Sequence, residues 1–500
     1  MNLNIKIEDI TSDLLDYFIE RDLKSEEKAV MKDADEYMNV KNVSISNRRK
    51  MMMLYDDDEV PYIKEDLSKA NYKAKHSYLQ ELINQCTNYV AGKPIKIEYK
   101  EDISDDKVES IDKQLYVDNN FLGFLQRNIK NVQLYGKSYM RIVMNEGMIK
   151  FVTYDPKEVI MFHDDFDEPV LAIRYFTKAE LDSKKNVVEE KYAEVFDVEH
   201  KITYKKNKKG KWEEEKKELV YANKVTYTDE ENNPIKIDVE SVGIPVFPII
   251  EWKFNDECIP TLSNIKDFID LQDTNLSDLA NNVEDIQEAI WILENYNGQN
   301  IKEFMEDLKI KKAVKVGIGG NARTETVQIP IEARAKLYEL CDKNIYKYGF
   351  GINFSERDSL GNVTGVALKW SYAPLEQKAN AIENNGQEPL NNFFNILFAL
   401  MGVEYDSNDL EFKFDRTMIA NEQEQTQTVM SASQVLSTKT ILSNLPMVKD
   451  VEEELKELEG EEVYDEDVPT ETDTTGKETE KQTEKGNKII SISNSNNDEE

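Results

Sequence analysis

The sequence predicts an α+β protein in which a mixed amino-terminal half is followed by long helices. Three observations lead to this fold class. Residues 1–100 are dominated by helical spacing of apolar side chains, whereas residues 138–252 contain short β-type runs separated by turns. From Thr261 onward the spacing becomes helical again over an unusually long stretch.

The amino-terminal region is predicted to be helical, with two apolar stripes at helical spacing. These stripes are Leu14, Leu15, Phe18 and Ile19, and then Tyr78, Leu79, Leu82, Ile83 and Cys86. Gly92 and Pro94 mark the end of the second helix, and Ile95–Tyr99 alternates like a strand. Another helix is expected around Asp112–Tyr135.

The β-type region is predicted to hold short strands joined by tight turns. The expected strands are Ser138–Val143, Met148–Thr153, Glu158–Phe162, Leu171–Phe176, Tyr192–Val198, Ile202–Lys205, Glu218–Tyr221 and Lys224–Thr228. Asn207–Gly210 is the clearest hairpin turn. The basic run around it indicates a charged hairpin tip rather than a nucleic-acid patch, because acidic residues follow at once.

Thr261–Ile290 is predicted to form one uninterrupted helix, about 45 Å long at 1.5 Å per residue. An apolar seam follows it at near-heptad spacing: Ile265, Ile269, Leu276, Leu279, Val283, Ile286 and Ile290. A polar stripe lies roughly opposite: Asp270, Ser277, Asn281, Glu284 and Glu288. This stripe is expected either to line a wall or to be an ordinary solvated face.

The rest of the chain divides into an insert, further helices and a polar tail. The insert is predicted as strand Trp291–Glu294, helix Ile301–Leu308, strand Ala313–Val316 and a glycine-rich connector. Pro330 begins a helix to about Tyr348, and Thr364–Met401 is a long helix with bends at Pro374, Gly386 and Pro389. Strand Leu410–Phe414, helix Gln423–Leu436 and a helix from Pro446 follow. Residues 461–500 are too polar to pack and are expected to be disordered.

The composition limits the partners that the chain can have. Its net charge of −35 argues against general nucleic-acid binding and against docking on an anionic membrane, since both need clustered Lys and Arg. The three cysteines, Cys86, Cys258 and Cys341, have no paired spacing, which is typical of idle thiols in a reducing cytoplasm. The longest apolar runs are too short to span a bilayer, so a soluble intracellular chain is expected.

Catalytic, cofactor and metal motifs are not found in the sequence. His76, His163 and His200 have no partner at metal-ligand spacing, and Gly317–Asn321 lacks the Lys-Ser/Thr of a phosphate loop. Asp164, Asp165 and Asp167 could hold a divalent cation through oxygen ligands, but a plain acidic turn is favoured. The sequence therefore predicts no enzyme, cofactor or metal.

Several stretches in a fixed order resemble the portal proteins of tailed bacteriophages, in the branch common among phages of Gram-positive hosts. They are YVAGKPI (89–95), NVQLYGKSY (131–139), YDP (154–156), AIRYF (172–176), GIPVFPIIE (243–251), DLANNVED (278–285) and GNVTGVALK (361–369). The family's usual Asp-Ala-Tyr-Asn early in the long helix is replaced here by Leu271–Asn275.

This resemblance implies the portal fold and its division into domains. Residues 1–258 would be the wing, 259–290 and 330–348 the two stem helices, 291–329 the clip, and 349–363 the tunnel loop around DNA. Residues 364–402 would be the long kinked helix, 403–460 the crown and 461–500 the disordered acidic tail. The channel residues would be Ser355, Glu356, Arg357, Asp358, Ser359, Leu360, Gly361 and Asn362, together with the polar stripe of the stem.

The resemblance also implies the function and the partners. The subunit would form a ring, usually of twelve copies, through which double-stranded DNA enters and leaves the capsid without sequence-specific binding. It would meet the major capsid and scaffold proteins, the large terminase and then the head–tail adaptor, first in the host cytoplasm and finally in the virion. Two other interpretations are a non-portal assembly protein such as a scaffold, and a metal-dependent enzyme using Asp164, Asp165 and Asp167.

Overall fold

The fold is taken from a computed structural model of the chain. It describes residues 6–56, 60–67, 69–100, 103–145, 148–181, 185–228, 234–285, 290–294, 318–325, 330–354, 370–417, 422–433, 435–445, 448, 451 and 454–458. The chain forms two compact units, Met1–Ile419 and Ala420–Glu500. The predicted clip helix and second clip strand, the tunnel-loop residues 355–363 and the tail lie outside the described residues.

The chain begins with helices α1 (Ser12–Leu23), α2 (Glu26–Met38) and α3 (Val43–Ser46). Thr11 and Ser25 cap the first two, since their side-chain oxygens accept hydrogen bonds from the backbone N–H groups of Leu14 and Lys28. A hairpin follows, made of β1 (Met51–Tyr55) and β2 (Pro61–Glu65). The helical prediction for residues 1–100 is therefore wrong at the hairpin, whose two strands are too short to show a clear period.

The next elements are helix α4 (Tyr78–Ala91), strand β3 (Lys96–Tyr99), and helices α5 (Asp105–Asp112) and α6 (Phe121–Tyr135). The single helix predicted over residues 112–135 is divided. A π turn at Lys113–Val117 and a left-handed Asn120, with φ of 46°, separate its two parts.

Two antiparallel sheets occupy the β-type region. One has the order β13-β4-β5, from Ile250–Lys253, Lys137–Asn145 and Met148–Tyr154. The other has the order β10-β9-β8-β7-β6, from Trp212–Leu219, His200–Lys206, Val187–Phe196, Pro169–Leu181 and Val159–His163. A separate pair joins β11 (Ala222–Thr228) to β12 (Pro234–Ser241). The predicted strands are confirmed, except that Tyr192–Val198 and Glu218–Tyr221 each extend two residues past the observed ends, at Phe196 of β8 and Leu219 of β10.

The predicted turn at Asn207–Gly210 is also confirmed. Gly210 has φ of 80°, a left-handed conformation that glycine adopts at low cost, and its N–H donates to the Asn207 carbonyl at 2.9 Å. The turn joins β9 to β10, and α1 packs on this sheet through Leu15 and Phe18.

The long helix is shorter than predicted. Thr261–Asn264 form a 3₁₀ turn after Pro260, and helix α7 covers Lys266–Asp285. Ile290 belongs to strand β14 (Ile290–Glu294), which pairs antiparallel with β15 (Asn321–Glu325). The uninterrupted helix Thr261–Ile290 is therefore wrong at both ends, because apolar spacing does not distinguish a 3₁₀ turn or a short strand from the helix that they flank. Helix α8 (Ile331–Gly349) starts after Pro330, as predicted.

The second long helix is broken, as its glycine and prolines suggested. Helix α9 (Ala373–Asn384) carries Pro374 in its first turn, and helix α10 (Gln387–Met401) begins after Gly386. A Cβ on Gly386 would lie 2.4 Å from the Trp252 ring, so the break between the two helices falls where only glycine fits against Trp252. Strand β16 (Leu410–Lys413) then pairs with β3.

The main core lies between α6, α10 and the β13-β4-β5 sheet. Its centre is a group of fully buried aromatic side chains: Phe121, Phe124, Phe393, Phe394 and Phe398. Within the second unit, α11 (Glu422–Ala432) is shorter than predicted and α12 (Thr438–Asn444) was not predicted.

Candidate functional site

The start of α7 is anchored in a core of its own. Ile265 and Ile269, the first two members of the predicted apolar seam, are fully buried among side chains of α2, α4 and α8. Phe268 stacks on Tyr348 of α8, with ring centroids 5.7 Å apart. Farther along, the Asn275 amide donates to the Arg334 carbonyl at 3.0 Å. The two helices therefore lie side by side and run in opposite directions.

The later members of the seam, from Leu276 to Val283, are more exposed than Ile265 and Ile269, and we call them the lower seam. Leu276 and Leu279 are partly exposed, and Val283 is more than half exposed. Ile331 and Leu340 on α8 are exposed as well. The helix pair thus offers apolar side chains that its own chain leaves uncovered.

Two members of the predicted polar stripe of α7 face inward, toward the rest of their own chain. Ser277 and Asn281 are fully buried beneath the extended segment 72–76 of the same chain. The Tyr72 N–H donates to Asn281 Oδ1 at 2.6 Å, and the Ala74 N–H donates to Ser277 Oγ at 2.9 Å. The His76 N–H donates to Asp273 Oδ1, also at 2.9 Å. Three alternate backbone donors are therefore satisfied by three helix side chains.

The spacing of these contacts has a geometric reason. Four residues of α-helix rise about 6 Å, and two residues of extended chain advance about 6.6 Å. Positions 273, 277 and 281 of α7 therefore match positions 76, 74 and 72 of the segment. An extended chain that is not part of a sheet needs other partners for its N–H groups, and the polar stripe supplies them.

Asp270 and Asp273 extend the same network. Asp270 accepts hydrogen bonds from the Tyr37 hydroxyl and, at 2.6 Å, from the Ser44 hydroxyl. Asp273 is fully buried and contacts the His76 ring nitrogen Nδ1 at 2.7 Å. Burial, together with the Asp270 carboxylate, holds the pKa of Tyr37 well above its usual value.

The stripe prediction is therefore corrected for its buried members. Side chains that are covered by residues 37–76 of their own chain cannot form an exposed wall, which excludes Ser277 and Asn281 from that role. Asp270 is partly exposed and Glu284 is exposed, so their place on the wall stays a prediction, and Glu288 lies outside the described residues. The pattern of apolar and polar residues could not predict this burial, because it does not show what a polar helix face contacts.

Described residues on both sides of the loop predicted to surround DNA contact helix α4. Ser355, Glu356, Arg357, Asp358, Ser359, Leu360, Gly361 and Asn362 lie outside the described residues. On one side of them, the Gln85 side chain holds Ile352 by two hydrogen bonds, at 2.7 Å to its N–H and 3.0 Å to its carbonyl. On the other side, Tyr372 stacks on Tyr89 at 5.6 Å.

These two anchor points lie close together. Gln85 and Tyr89 are four residues apart on α4, and such positions are neighbours on one helix face. A Cβ on Gly351 would lie 2.1 Å from Leu82 Cδ2, so the backbone passes against α4 without room for a side chain. Sequence reasoning missed these anchors, since nothing in the pattern links residue 85 to residue 352.

The acidic turn considered as a metal site is explained by its hydrogen bonds. Asp164 Oδ1 accepts from the Phe166 N–H at 2.8 Å and from the Glu168 N–H at 3.0 Å. Asp167 pairs with Lys253 at 2.7 Å, and that hydrogen bond lowers the pKa of Asp167. In the part of the chain that the structure describes, no group of His, Cys, Asp or Glu side chains is arranged to hold a metal ion.

A cleft of about 700 Å³ lies beside this turn. In it, His163 Nε2 contacts Glu251 Oε2 at 3.0 Å, and the Tyr139 hydroxyl donates to Glu251 Oε1 at 3.0 Å. Burial would raise the pKa of Glu251, but the hydrogen bond from His163 and the charge of Lys137 outweigh it and hold that pKa below its usual value. A buried carboxylate with three such partners is satisfied, and it holds β13 against β4 and β6.

Within the described residues, no helix combines the length and the apolar character that a bilayer crossing requires.

Comparison with known proteins identifies the family. The sequence model described as "Phage portal protein, SPP1 Gp6-like" matches residues 19–467. The chain belongs to this family of phage portal proteins. It is 28% identical over 411 residues to the portal protein of Bacillus phage SPP1, covering 79% of this chain and 77% of that one. It is 34% identical over 211 residues to the portal protein of Clostridium phage phiCD119, covering 41% and 46%.

Solved structures with a related chain course include the neck of an empty gene transfer agent particle. That match has a TM-score of 0.44 and 9% identity, and covers 74% of this chain and 90% of the other. The virion of the native gene transfer agent particle gives a TM-score of 0.43 at 10% identity and covers 74% and 89%. The portal assignment depends on the family match and on the two portal proteins. It confirms the resemblance found in the sequence, and the chain has the role of a phage portal, a head-to-tail connector.

Proposed function

We propose that the chain assembles into a closed ring at one capsid vertex, with double-stranded DNA passing through its centre. The proposal is supported by the family match over residues 19–467 and by apolar side chains that α7 and α8 leave exposed, among them Val283, Ile331 and Leu340. Exposed apolar side chains of this kind are available for contact with a neighbouring subunit. In a cyclic ring, each subunit covers such a surface on its neighbour.

The domain assignment follows the helix pair. We infer that residues 1–258 are the wing, 259–290 and 330–348 the stem, 291–329 the clip and 403–460 the crown. The pairing of β14 with β15 joins the two ends of the insert, which supports a clip that is a unit in itself. The clip would then bind the large terminase and later the head–tail adaptor, while the crown faces the capsid interior.

The loop at residues 349–363 is proposed as the tunnel loop. Ile352 and Tyr372, which lie on either side of it in the chain, contact Gln85 and Tyr89 of α4, and this common support is consistent with the assignment. The chain's strong negative charge suits a channel through which DNA slides, since acidic walls do not bind phosphates.

Electron microscopy of the purified protein tests the ring. We expect rings with a central hole for the full-length chain. Leu340→Asp should reduce the fraction of ring particles, because it places a charge in the proposed contact, whereas Ser263→Ala on an exposed turn should not. A full-length protein that remains monomeric at the concentrations at which portals assemble would contradict the proposal.

A loop deletion tests the channel assignment. Removing residues 355–362 should leave rings intact, since the anchors at Ile352 and Tyr372 remain, but should reduce DNA packaging or retention in an in vitro packaging assay. Full-length packaging and normal retention by the deleted protein would show that this loop is not the tunnel loop.

A further inference from the structure

The β1–β2 hairpin has an apolar face that the described part of its own subunit leaves exposed. The register pairs Met53 with Ile63 and Met51 with Glu65, and Tyr55 follows on the same side of the sheet. Met51, Met53, Tyr55 and Ile63 form this hairpin face, and they are 55%, 60%, 64% and 66% exposed. An isolated two-stranded hairpin is marginal in water. Such a face therefore needs a partner.

Residues 41–50 and 69–75, which flank the hairpin in the chain, are rich in cations, and we call them the basic base. This base holds Lys41, Arg48, Arg49, Lys50, Lys69, Lys73 and Lys75 and no acidic residue, in a chain whose net charge is −35. Arg48, Arg49 and Lys50 pair with Asp278 or Glu65 of the same chain, and the four lysines Lys41, Lys69, Lys73 and Lys75 are exposed. The partner that fits is thus apolar where it meets the hairpin face and acidic around it.

Helix α7 has both properties. Over Lys266–Asp285 it carries six acidic residues against the single cation Lys266. Asp270, Asp273 and Asp278 are bonded within their own chain, whereas Asp267 and Glu284 are exposed. Its lower seam, Leu276, Leu279 and Val283, is only partly covered by its own chain. The surface of another copy of the chain therefore complements the hairpin in both polarity and charge.

The position of the hairpin on α7 supports a contact between copies. Arg48 and Lys50 at the hairpin base pair with Asp278 of their own α7, which fastens the hairpin to one side of that helix. Val283 lies five residues farther, about 140° round the helix axis. One side of α7 therefore holds the hairpin and a different side holds the open seam, which is the arrangement that a head-to-tail ring requires.

We propose that the hairpin face of each subunit docks on the lower seam of α7 in the neighbouring subunit. This inference rests on the proposed ring and specifies one of its contacts. The exposed lysines of the basic base then lie near Asp267 and Glu284 of the neighbouring α7, so the contact weakens as salt rises.

The first test changes the hairpin face. Met53→Asp with Ile63→Asp should abolish rings in electron microscopy and leave a monomer whose melting temperature matches that of dissociated wild-type subunits, because both side chains are exposed in the single chain. The control is Phe166→Asp with Leu181→Asp, two exposed apolar positions in the β6–β7 turn and at the end of β7, and it should form rings. Normal rings from the hairpin variant would overturn the proposal.

The second test identifies what the hairpin touches. A photo-crosslinking amino acid at position 53, in assemblies of isotopically labelled and unlabelled chains, should link to peptides from residues 266–285 of a different copy. Links to DNA, to another protein or only within the same copy would overturn the proposal. If wild-type chains form no rings at all, the proposed function fails. If they form rings that do not need the hairpin, only this inference fails.

Discussion

Helices α10 and α7 bury opposite kinds of side chain. On α10 the inner face is aromatic: Phe393, Phe394 and Phe398 are fully buried against α6 and the sheet. On α7, beyond Ile269, the inner face is polar: Gln272, Asp273, Ser277 and Asn281 are buried, whereas Leu271 and Val283 are exposed. Which face of a helix turns inward therefore depends on what the helix packs against. An extended segment that is not part of a sheet needs hydrogen-bond acceptors for its backbone N–H groups, and polar side chains supply them.

The largest expected loss of stability comes from a substitution in the aromatic inner face of α10. Phe394 contacts the rings of Phe121, Phe393 and Phe398. Phe394→Ala should lower the free energy of unfolding by about 3–5 kcal/mol, because it leaves a cavity in a packed core. Denaturant unfolding measures this change. The control Phe166→Ala, at an 86% exposed position, should stay within about 0.5 kcal/mol of wild type.

The polar inner face should give a smaller effect. Ser277→Ala removes the acceptor of the Ala74 N–H and leaves that buried donor without its partner, so we expect a loss of about 1–2 kcal/mol. Faster hydrogen exchange at Ala74 would show where the loss occurs. The exposed Ser263→Ala serves as the control. If Ser277→Ala is neutral and Ala74 stays protected, then apolar burial alone holds the segment to α7.

The same comparison explains how far the sequence could predict the molecule. The α+β class, most strands, the turn at Gly210, the break at Gly386 and the portal family followed from spacing, turn residues and short motifs, all of which are local. The face of α7 did not, because Ser277 and Asn281 are buried by a segment two hundred residues earlier. The hairpin at residues 51–65 was missed for a related reason: its apolar face is exposed, so it lacks the alternation that burial on one side imposes.

The smallest effect concerns a buried charge, and it depends on pH. The folded-state pKa of Glu251 lies below the usual value of 4.5, so its stabilisation is complete above that value and is lost as the pH falls through the lowered pKa. Glu251→Gln should therefore be less stable than wild type at pH 7, with the difference shrinking below about pH 4.5. Thermal unfolding from pH 7 to 3 measures it. A difference that is independent of pH would show that the Glu251 charge contributes nothing.

The match between α7 and the segment 72–76 also restricts how the two can slide. Because two residues of the segment correspond to four residues of the helix, a shift that restores all three hydrogen bonds must cover about 6 Å in one step. Intermediate positions leave backbone donors unsatisfied, at a cost of about 1–3 kcal/mol each. The segment can therefore lie along α7 only at discrete positions, about 6 Å apart. A pull along α7 is therefore transmitted to α4, which follows the segment directly in the chain and which also contacts Ile352.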